Sequence, residues 1–180
     1  MAVAPVSDTP LSLTVPALVL SDAFLEYRAE FEAHDEPQFW HPRRDEVFSA
    51  YVERLGRVSR GEEPGFVRVS TFWFLRGASL VGESRIRHEL PPALAEAGHI
   101  GFAVRPTARG AGVGTRILQM TLEQATLLGH SSLLLTCDSD NLASRKVITK
   151  NGCHFLERVL SAETGKELDR YSIRLQRRAG

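Results

Sequence analysis

The residues Arg109-Gly110-Ala111-Gly112-Val113-Gly114-Thr115 have the composition of an anion cradle. Glycines at 110, 112 and 114 lack the Cβ atoms that keep a large anion off the backbone, and they reach dihedrals closed to other residues. A helix starting near Gly112 leaves its first N–H groups without intrahelical partners and aims the positive end of its dipole at the same point. A diphosphate satisfies both. One charge-assisted hydrogen bond contributes roughly 1.5–3 kcal/mol and the dipole only about 0.3–1, so the converging N–H groups carry the affinity, with Arg109 adding charge at the rim. Other phosphate loops fit less well. Gly114 is followed by Thr115-Arg116 and not by Lys-Ser/Thr, and glycines at steps of two do not make Gly-x-Gly-x-x-Gly.

A second group with chemical potential precedes the turn. In His99-Ile100-Gly101-Phe102-Ala103-Val104, period two sets His99, Gly101 and Ala103 on one face, and small residues beside a histidine leave room for a ligand or for close helix packing. A third is the stretch from His34 to Pro42, too broken by proline for regular structure yet carrying Phe39, Trp40 and His41. Phe39 and Trp40 there either plug the core or line a substrate pocket.

The elements that must position these groups follow from periodicity. Leu11 to Leu20 reads as a strand, with Pro16 pushing it toward a sheet edge. Ser21 or Asp22 caps a helix in which Phe24, Tyr27 and Phe31 recur at helical spacing, ending near His34. Pro42 suits the first turn of a second helix with Val47, Phe48, Tyr51, Leu55 and Val58 as its buried stripe. Val67–Arg76 and Ser79–Leu90 form a hairpin across Arg76-Gly77-Ala78. Alternation in its second strand sets Glu83, Arg85, Arg87 and Glu89 on one face, read as solvated, with Glu83 the exception because its neighbours are apolar. His99–Val104 is a short strand, Gly112–Leu128 a mostly buried helix, and Ser132–Cys137 a strand covered on both faces. Asp138-Ser139-Asp140-Asn141 caps a helix from Leu142 to Lys150, closed by Asn151-Gly152. Cys153–Leu160 and Glu167–Leu175 are the last strands. The order β-α-α-β-β-β-α-β-α-β-β predicts an α/β (α+β) fold with a central mixed, mostly antiparallel sheet of about seven strands and four helices.

Composition narrows the function classes. The 180 residues suit one domain, 11–180, behind a loose arm at 1–10, and their 43% hydrophobic content is globular. Lys plus Arg and Asp plus Glu are 22 each, so no global field draws nucleic acid or an anionic membrane. Two cysteines, Cys137 and Cys153, offer neither a disulfide framework nor metal-ligand spacing. No metal is expected, and a reducing compartment is. No apolar run reaches the ~18 residues of a membrane span, and Met1-Ala2-Val3-Ala4-Pro5 lacks the basic segment of a signal peptide, so the expected location is the cytoplasm.

Two stretches together resemble the GCN5-related N-acetyltransferase (GNAT) family of acetyl-CoA-dependent acyl transferases. One is Val104-Arg105-Pro106 with Arg109-Gly110-Ala111-Gly112-Val113-Gly114, which fits the family's Arg/Gln-x-x-Gly-x-Gly/Ala turn. The other is Asn141-Leu142-Ala143-Ser144-Arg145-Lys146-Val147-Ile148-Thr149-Lys150-Asn151-Gly152. The resemblance covers Leu11 to Leu175 and implies that the acetyl-CoA diphosphate rests on the N–H groups of Arg109, Gly110, Ala111, Gly112, Val113, Gly114 and Thr115. It implies a pantetheine arm between the strands ending at Val104 and Cys137. A backbone N–H near Phe102, Ala103 or Val104 would polarise the thioester carbonyl, Asn141 and Ser144 would meet the pantetheine or thiol end, and Lys146 or Arg145 would reach a phosphate.

Such chemistry needs a base. An aliphatic amine with a pKa near ~10.4 is about 3.4 units too protonated at pH 7, a handicap of roughly 4.6 kcal/mol. His99 is the first candidate, Glu83 the second and His88 the third. Many family members place a tyrosine proton donor where this chain has Ile148, so Tyr171, Tyr27, Ser144 or water would have to serve the leaving thiolate. The expected acceptor is a primary amine of a small molecule or peptide, walled by Phe39, Trp40 and His41, the His88 strand and the last hairpin with Tyr171. A homodimer is compatible with the sequence. A non-catalytic acyl-CoA-binding module and a plain interaction domain with close-packing glycines stand as rivals.

Overall fold

In the computed structural model, residues 9–36 and 41–176 are described; Phe39 and Trp40 lie outside them. The strands are β1 Leu11–Thr14, β2 Val69–Arg76, β3 Ser79–Arg87, β4 Ile100–Val104, β5 Ser132–Asp138, β6 His154–Leu160 and β7 Glu167–Arg174. The helices are α1 Ser21–Ala33, α2 Phe48–Arg60, α3 Val113–Leu127 and α4 Leu142–Lys150. The strands form one sheet in the order β1-β2-β3-β4-β5-β7-β6. Every pair is antiparallel except β4–β5, which is parallel because α3 carries the chain across between them.

Each face of the sheet carries its own core. Ile117, Leu118, Leu122 and Ala125 of α3 and Ile148 of α4 pack on Phe72, Phe74, Ile86, Ile100, Leu133 and Leu135. On the other face, Phe24, Tyr27 and Phe31 of α1 and Tyr51 and Leu55 of α2 pack on Trp73 and Leu80. α3 comes close because Gly82 lies beneath it: a Cβ there would collide with Ile117 Cδ1 and stand 2.7 Å from the Ala103 carbonyl oxygen.

The structure departs from the sequence expectation at several points. The first strand stops at Thr14, before Pro16, which has no N–H for the ladder. α2 begins at Phe48 and not at Pro42, since Asp45 sits at φ 66, a left-handed conformation that interrupts a helix. Pro42–Val47 is instead a loop fixed by Glu46, which accepts from the Arg43 N–H at 2.9 Å and from Arg54 Nε at 2.7 Å. The charged row of β3 is solvated only at Glu89, just past the strand, and Glu83 is the exception that its apolar neighbours suggested. Glu83 is fully buried and Arg85 half-buried because Trp73 lies opposite Glu83 and α1 and α2 cover this face, and Arg87 is half-buried where it donates to the Gly98 carbonyl at 3.1 Å.

Candidate active site

The pairing of β4 with β5 is confined to one register position, Ile100 opposite Leu135, supported by His99 N–H to the Leu134 carbonyl at 2.7 Å. Beyond it the strands separate toward the glycine turn. Antiparallel ladders alternate, and the bonds Arg87 N–H to His99 O (2.7 Å) and Arg105 N–H to Val81 O (2.9 Å) fix the phase against β3. Gly101 and Ala103 therefore direct their backbone groups at β3, whereas Phe102 and Val104 turn theirs into the gap. The result is a strand edge inside the sheet, available to an extended ligand.

That edge leads into a groove of about 500 Å³ lined by Ala103, Val104, Gly110, Gly112, Thr115, Asn141, Ser144, Lys146 and Lys150. Gly110 and Gly112 adopt φ 81 and 76, and a Cβ on either would meet nothing within 4 Å. Their missing side chains leave the groove open. Gly114 serves packing, since its Cβ would stand 3.2 Å from Val147 and 3.3 Å from Val104. Gly112 is the N-cap of α3, so the first N–H groups of that helix end at the groove without intrahelical acceptors. Asn151 locks the second wall: its side-chain amide donates to the carbonyls of Val147 (2.9 Å) and Thr115 (3.2 Å), tying the end of α4 to the start of α3.

A gapped parallel strand pair feeding a glycine-capped helix is matched by sequence comparison, in which residues 13–154 fit the acetyltransferase (GNAT) domain model. The chain belongs to the GNAT family. Among solved structures it is similar to an acetyl transferase from Salmonella typhimurium that modifies the N-terminal serine of the 50S ribosomal subunit protein L7/L12 (17% identity, TM-score 0.69, covering 96% of this chain and 98% of that one). RimJ of Mycobacterium smegmatis, in complex with a CoA-disulfide, is similar at 18% identity and TM-score 0.68, covering 94% and 84%. The microcin C7 self-immunity acetyltransferase MccE, in complex with acetyl-CoA and AMP, is similar at 15% identity and TM-score 0.68, covering 94% of each chain. At these identities the likeness is one of fold. No curated protein matches the sequence.

Within this GNAT fold the sequence candidates separate into three places. Phe102, Ala103, Val104, Arg109, Gly110, Gly112, Val113, Gly114, Thr115, Asn141, Ser144 and Lys146 all line the groove, Ala111 of the expected set does not, and Phe31, Glu36, Ala143, Val147 and Lys150, which the sequence did not mark, join them. Lys150 had a signal, lying one helical turn after Lys146; Phe31 and Glu36 had none, because they arrive from a distant part of the chain. Asn141 caps α4, its Oδ1 accepting the Ser144 N–H at 2.9 Å. Arg109 is held to Glu36 and to the Val104 carbonyl rather than standing free at the rim.

The histidines gather elsewhere. His99 Nδ1 accepts the Leu134 N–H at 2.9 Å, fastening the start of β4 to β5 at the end of the sheet remote from the glycine turn. His88 joins it there, bonded to Arg68 Nη2 (2.7 Å) and Ser70 Oγ (2.9 Å), with the His130 ring 5.3 Å from His88 and 6.1 Å from His99. Burial lowers His88 to about 4 and lowers His99 as well. Tyr171 is a core residue between Leu135 and Phe155, its hydroxyl 3.4 Å from Asp169 Oδ2, and does not line the groove. Ile148, in the tyrosine position, is buried in the core.

Glu83 stands in the third place, behind Ala103. The two are register partners on β3 and β4 and share the face beneath α1 and α2. Its carboxyl is fully buried, and burial pushes it above the usual carboxylate range against the opposing pull of Arg85 and of the Trp73 indole beside it. Among the described residues no cluster of His, Cys, Asp or Glu could hold a metal ion.

Proposed function

We propose that this protein transfers the acetyl group of acetyl-CoA directly to the primary amine of a small molecule or peptide in a ternary complex. The observation that carries the reading is the edge of β4, whose Phe102 and Val104 backbone groups face a gap opening into the Gly110–Gly112 cradle. Residues and ligand fit. The N-terminus of α3 and the open glycines suit a diphosphate, Lys146 and Lys150 add charge beside it, and the β4 edge suits the amides of pantetheine.

Acetyl-CoA supplies a thioester carbon open to attack. The chain's part is to bind it along β4, to aim the Phe102 or Val104 N–H at the carbonyl oxygen as negative charge develops, and to hold the Ser144 hydroxyl near the departing thiolate. A thiol of pKa near ~8.5 leaves tolerably without a dedicated acid, which suits a fold with isoleucine at 148. A GNAT neighbour that modifies an N-terminal serine and another with acetyl-CoA and AMP bound support acceptors of either size. Free Cys137 and Cys153 support a reducing compartment, the cytoplasm in this reading. No helix among the described residues is long and apolar enough to cross a membrane.

Calorimetry with acetyl-CoA at about 100 μM tests the binding half, a concentration at which a specific site of micromolar affinity saturates. A thiol-release screen over small amines, amino acids and N-terminal peptides tests the transfer. The burial of Ile148 favours a second reading, a non-catalytic acyl-CoA-binding module, which predicts heat of binding but no thiol release with any amine.

A further inference from the structure

The Arg105 N–H donates to Val81 O at 2.9 Å, and after it no backbone N–H up to Val113 bonds to the sheet among the described residues. Pro106–Ala108 is instead a single 3-10 turn closed on itself, by Ala108 N–H to Arg105 O at 2.8 Å and Arg109 N–H to Pro106 O at 3.2 Å. Those two N–H groups are spent, so the cradle proper begins at Gly110. From Gly110 to Thr115 no N–H has an acceptor among the described residues. Pro106 has no N–H, and Arg105 at the N-cap supplies no side-chain cap. The remaining donor of the turn, Thr107 N–H, goes to Glu30 of α1: Oε1 accepts it at 2.6 Å, while Oε2 accepts Arg105 Nε at 2.5 Å. One carboxylate from a distant helix thus caps the turn and holds its first residue.

On the acetyl-transfer reading above, we infer that Glu30 is a positioning residue of the acetyl-CoA site, holding the Pro106–Ala108 turn on α1 so that the N–H groups of Gly110–Thr115 converge on the diphosphate. Glu30 itself does not line the groove. Phe31, the next residue of α1, does, so one helix sets the turn and a part of the groove wall together.

The carboxylate suits that part because it is charged and enclosed. The Glu30 and Arg105 side chains are only 14% and 18% exposed, and Arg105 Nη1 also donates to the Leu80 carbonyl at 3.4 Å. Burial pushes the Glu30 carboxyl up, but the bonds from Arg105 and Thr107 outweigh it and hold it below the usual carboxylate range. Glu36 and Arg109 make a second link at the other end of the turn, where both side chains are exposed and solvent screens the pair. Glu30 is therefore the firmer hold. By charge alone it works against the site, since a carboxylate near a polyanion repels it. Positioning and electrostatics thus give opposite signs when it is removed.

Calorimetry of the whole protein with acetyl-CoA reads that sign. Glu30→Ala is expected to weaken binding by about fivefold or more and to raise KM for acetyl-CoA at unchanged kcat, whereas a charge effect would tighten binding. Glu30→Gln keeps an oxygen for the Thr107 N–H but loses the ion pair with Arg105, and is expected to bind more weakly than the wild type and more tightly than Glu30→Ala. It stands in should the alanine variant not fold. Glu26→Ala, at an exposed carboxylate of the same helix, is expected to change nothing. Glu30 variants that bind as tightly as the wild type or tighter overturn the inference, as does a loss in Glu26→Ala equal to that in Glu30→Ala. Amide hydrogen exchange on the ligand-free protein separates its failure from failure of the transfer reading. Glu30→Ala is expected to speed exchange at Thr107 and to leave the β2 and β3 amides at their wild-type rates. If the wild type binds no acetyl-CoA, the transfer reading fails by itself; faster exchange at Thr107 then upholds Glu30 as the fastening of the turn, and unchanged exchange overturns it.

Discussion

Arg109 and Glu36 form a two-pronged ion pair in the groove wall, with Nη1 at 2.8 Å and Nη2 at 2.6 Å from the two carboxylate oxygens. Arg109 Nε also donates to the Val104 carbonyl at 3.1 Å, and the guanidinium lies 5.7 Å from the Phe31 ring centre. The arginine at the head of the glycine turn is thus a brace between the turn, β4 and the end of α1.

Acetyl-CoA affinity should therefore rest on the cradle and not on this cation. Arg109→Gln is expected to weaken binding by less than about threefold. Gly112→Val puts a branched side chain at φ 76, which costs about 1–2 kcal/mol before any obstruction of the groove, and is expected to weaken binding by more than about tenfold. Calorimetry on both proteins checks the order, and the reverse order would make Arg109 the principal phosphate ligand.

Gly82 and Gly110 make a contrasting pair. Gly82→Ala forces a methyl group into Ile117 and the Ala103 carbonyl and is expected to destabilise the fold by about 1–3 kcal/mol. Gly110→Ala meets no atom and bears only the strain of φ 81, about 1–2 kcal/mol. Urea unfolding should show the larger loss at 82, and calorimetric titration with acetyl-CoA the larger loss at 110.

His99 accepts a backbone N–H that ties β4 to β5, so its removal concerns stability. His99→Ala is expected to destabilise by about 1–3 kcal/mol through the unsatisfied Leu134 N–H, with the pH dependence of thiol release unchanged. A displaced acidic limb in that variant would return His99 to the mechanism.

Asp169 is buried between Arg158 (2.7 Å) and Arg145 (3.0 Å), and the Arg158 hydrogen bond holds its carboxyl below the usual range. Asp169→Asn is expected to cost about 2 kcal/mol at neutral pH, both arginines being partly exposed and so partly screened. The folded-state pKa is depressed, so this stabilisation is present above the unfolded value near ~3.9 and is lost as pH falls through the folded one. The gap between wild-type and variant urea midpoints should be wide at about pH 7 and narrow as pH falls below about 3.9.

Much of the frame was legible because it depends on local rules. Gly110 and Gly112 announce their left-handed backbone by their identity, Asn141 announces a helix cap, and the spacing of Phe24, Tyr27 and Phe31 announces the buried side of α1. Pro42 misled for a local reason too, since a suitable first-turn residue was overruled by Asp45 three positions later.

The burial of the charged groups was not legible, because it depends on which faces are covered. Alternation put Glu83, Arg85 and Arg87 on one side of β3 correctly, but nothing in the strand says that α1 and α2 lie across that side. Likewise His99 and Ala103 share a face of β4, and only the bond to Leu134 shows that the histidine fastens the closed end of the strand pair while Ala103 flanks its open end. The sequence by itself determined the turn, the caps and the order of elements, each set by residues adjacent in the chain. The tertiary structure decided where β4 parts from β5, which charges are buried, and that Glu83 and His41, far apart in sequence, face one another. Those are properties of packing, which no single stretch of chain encodes.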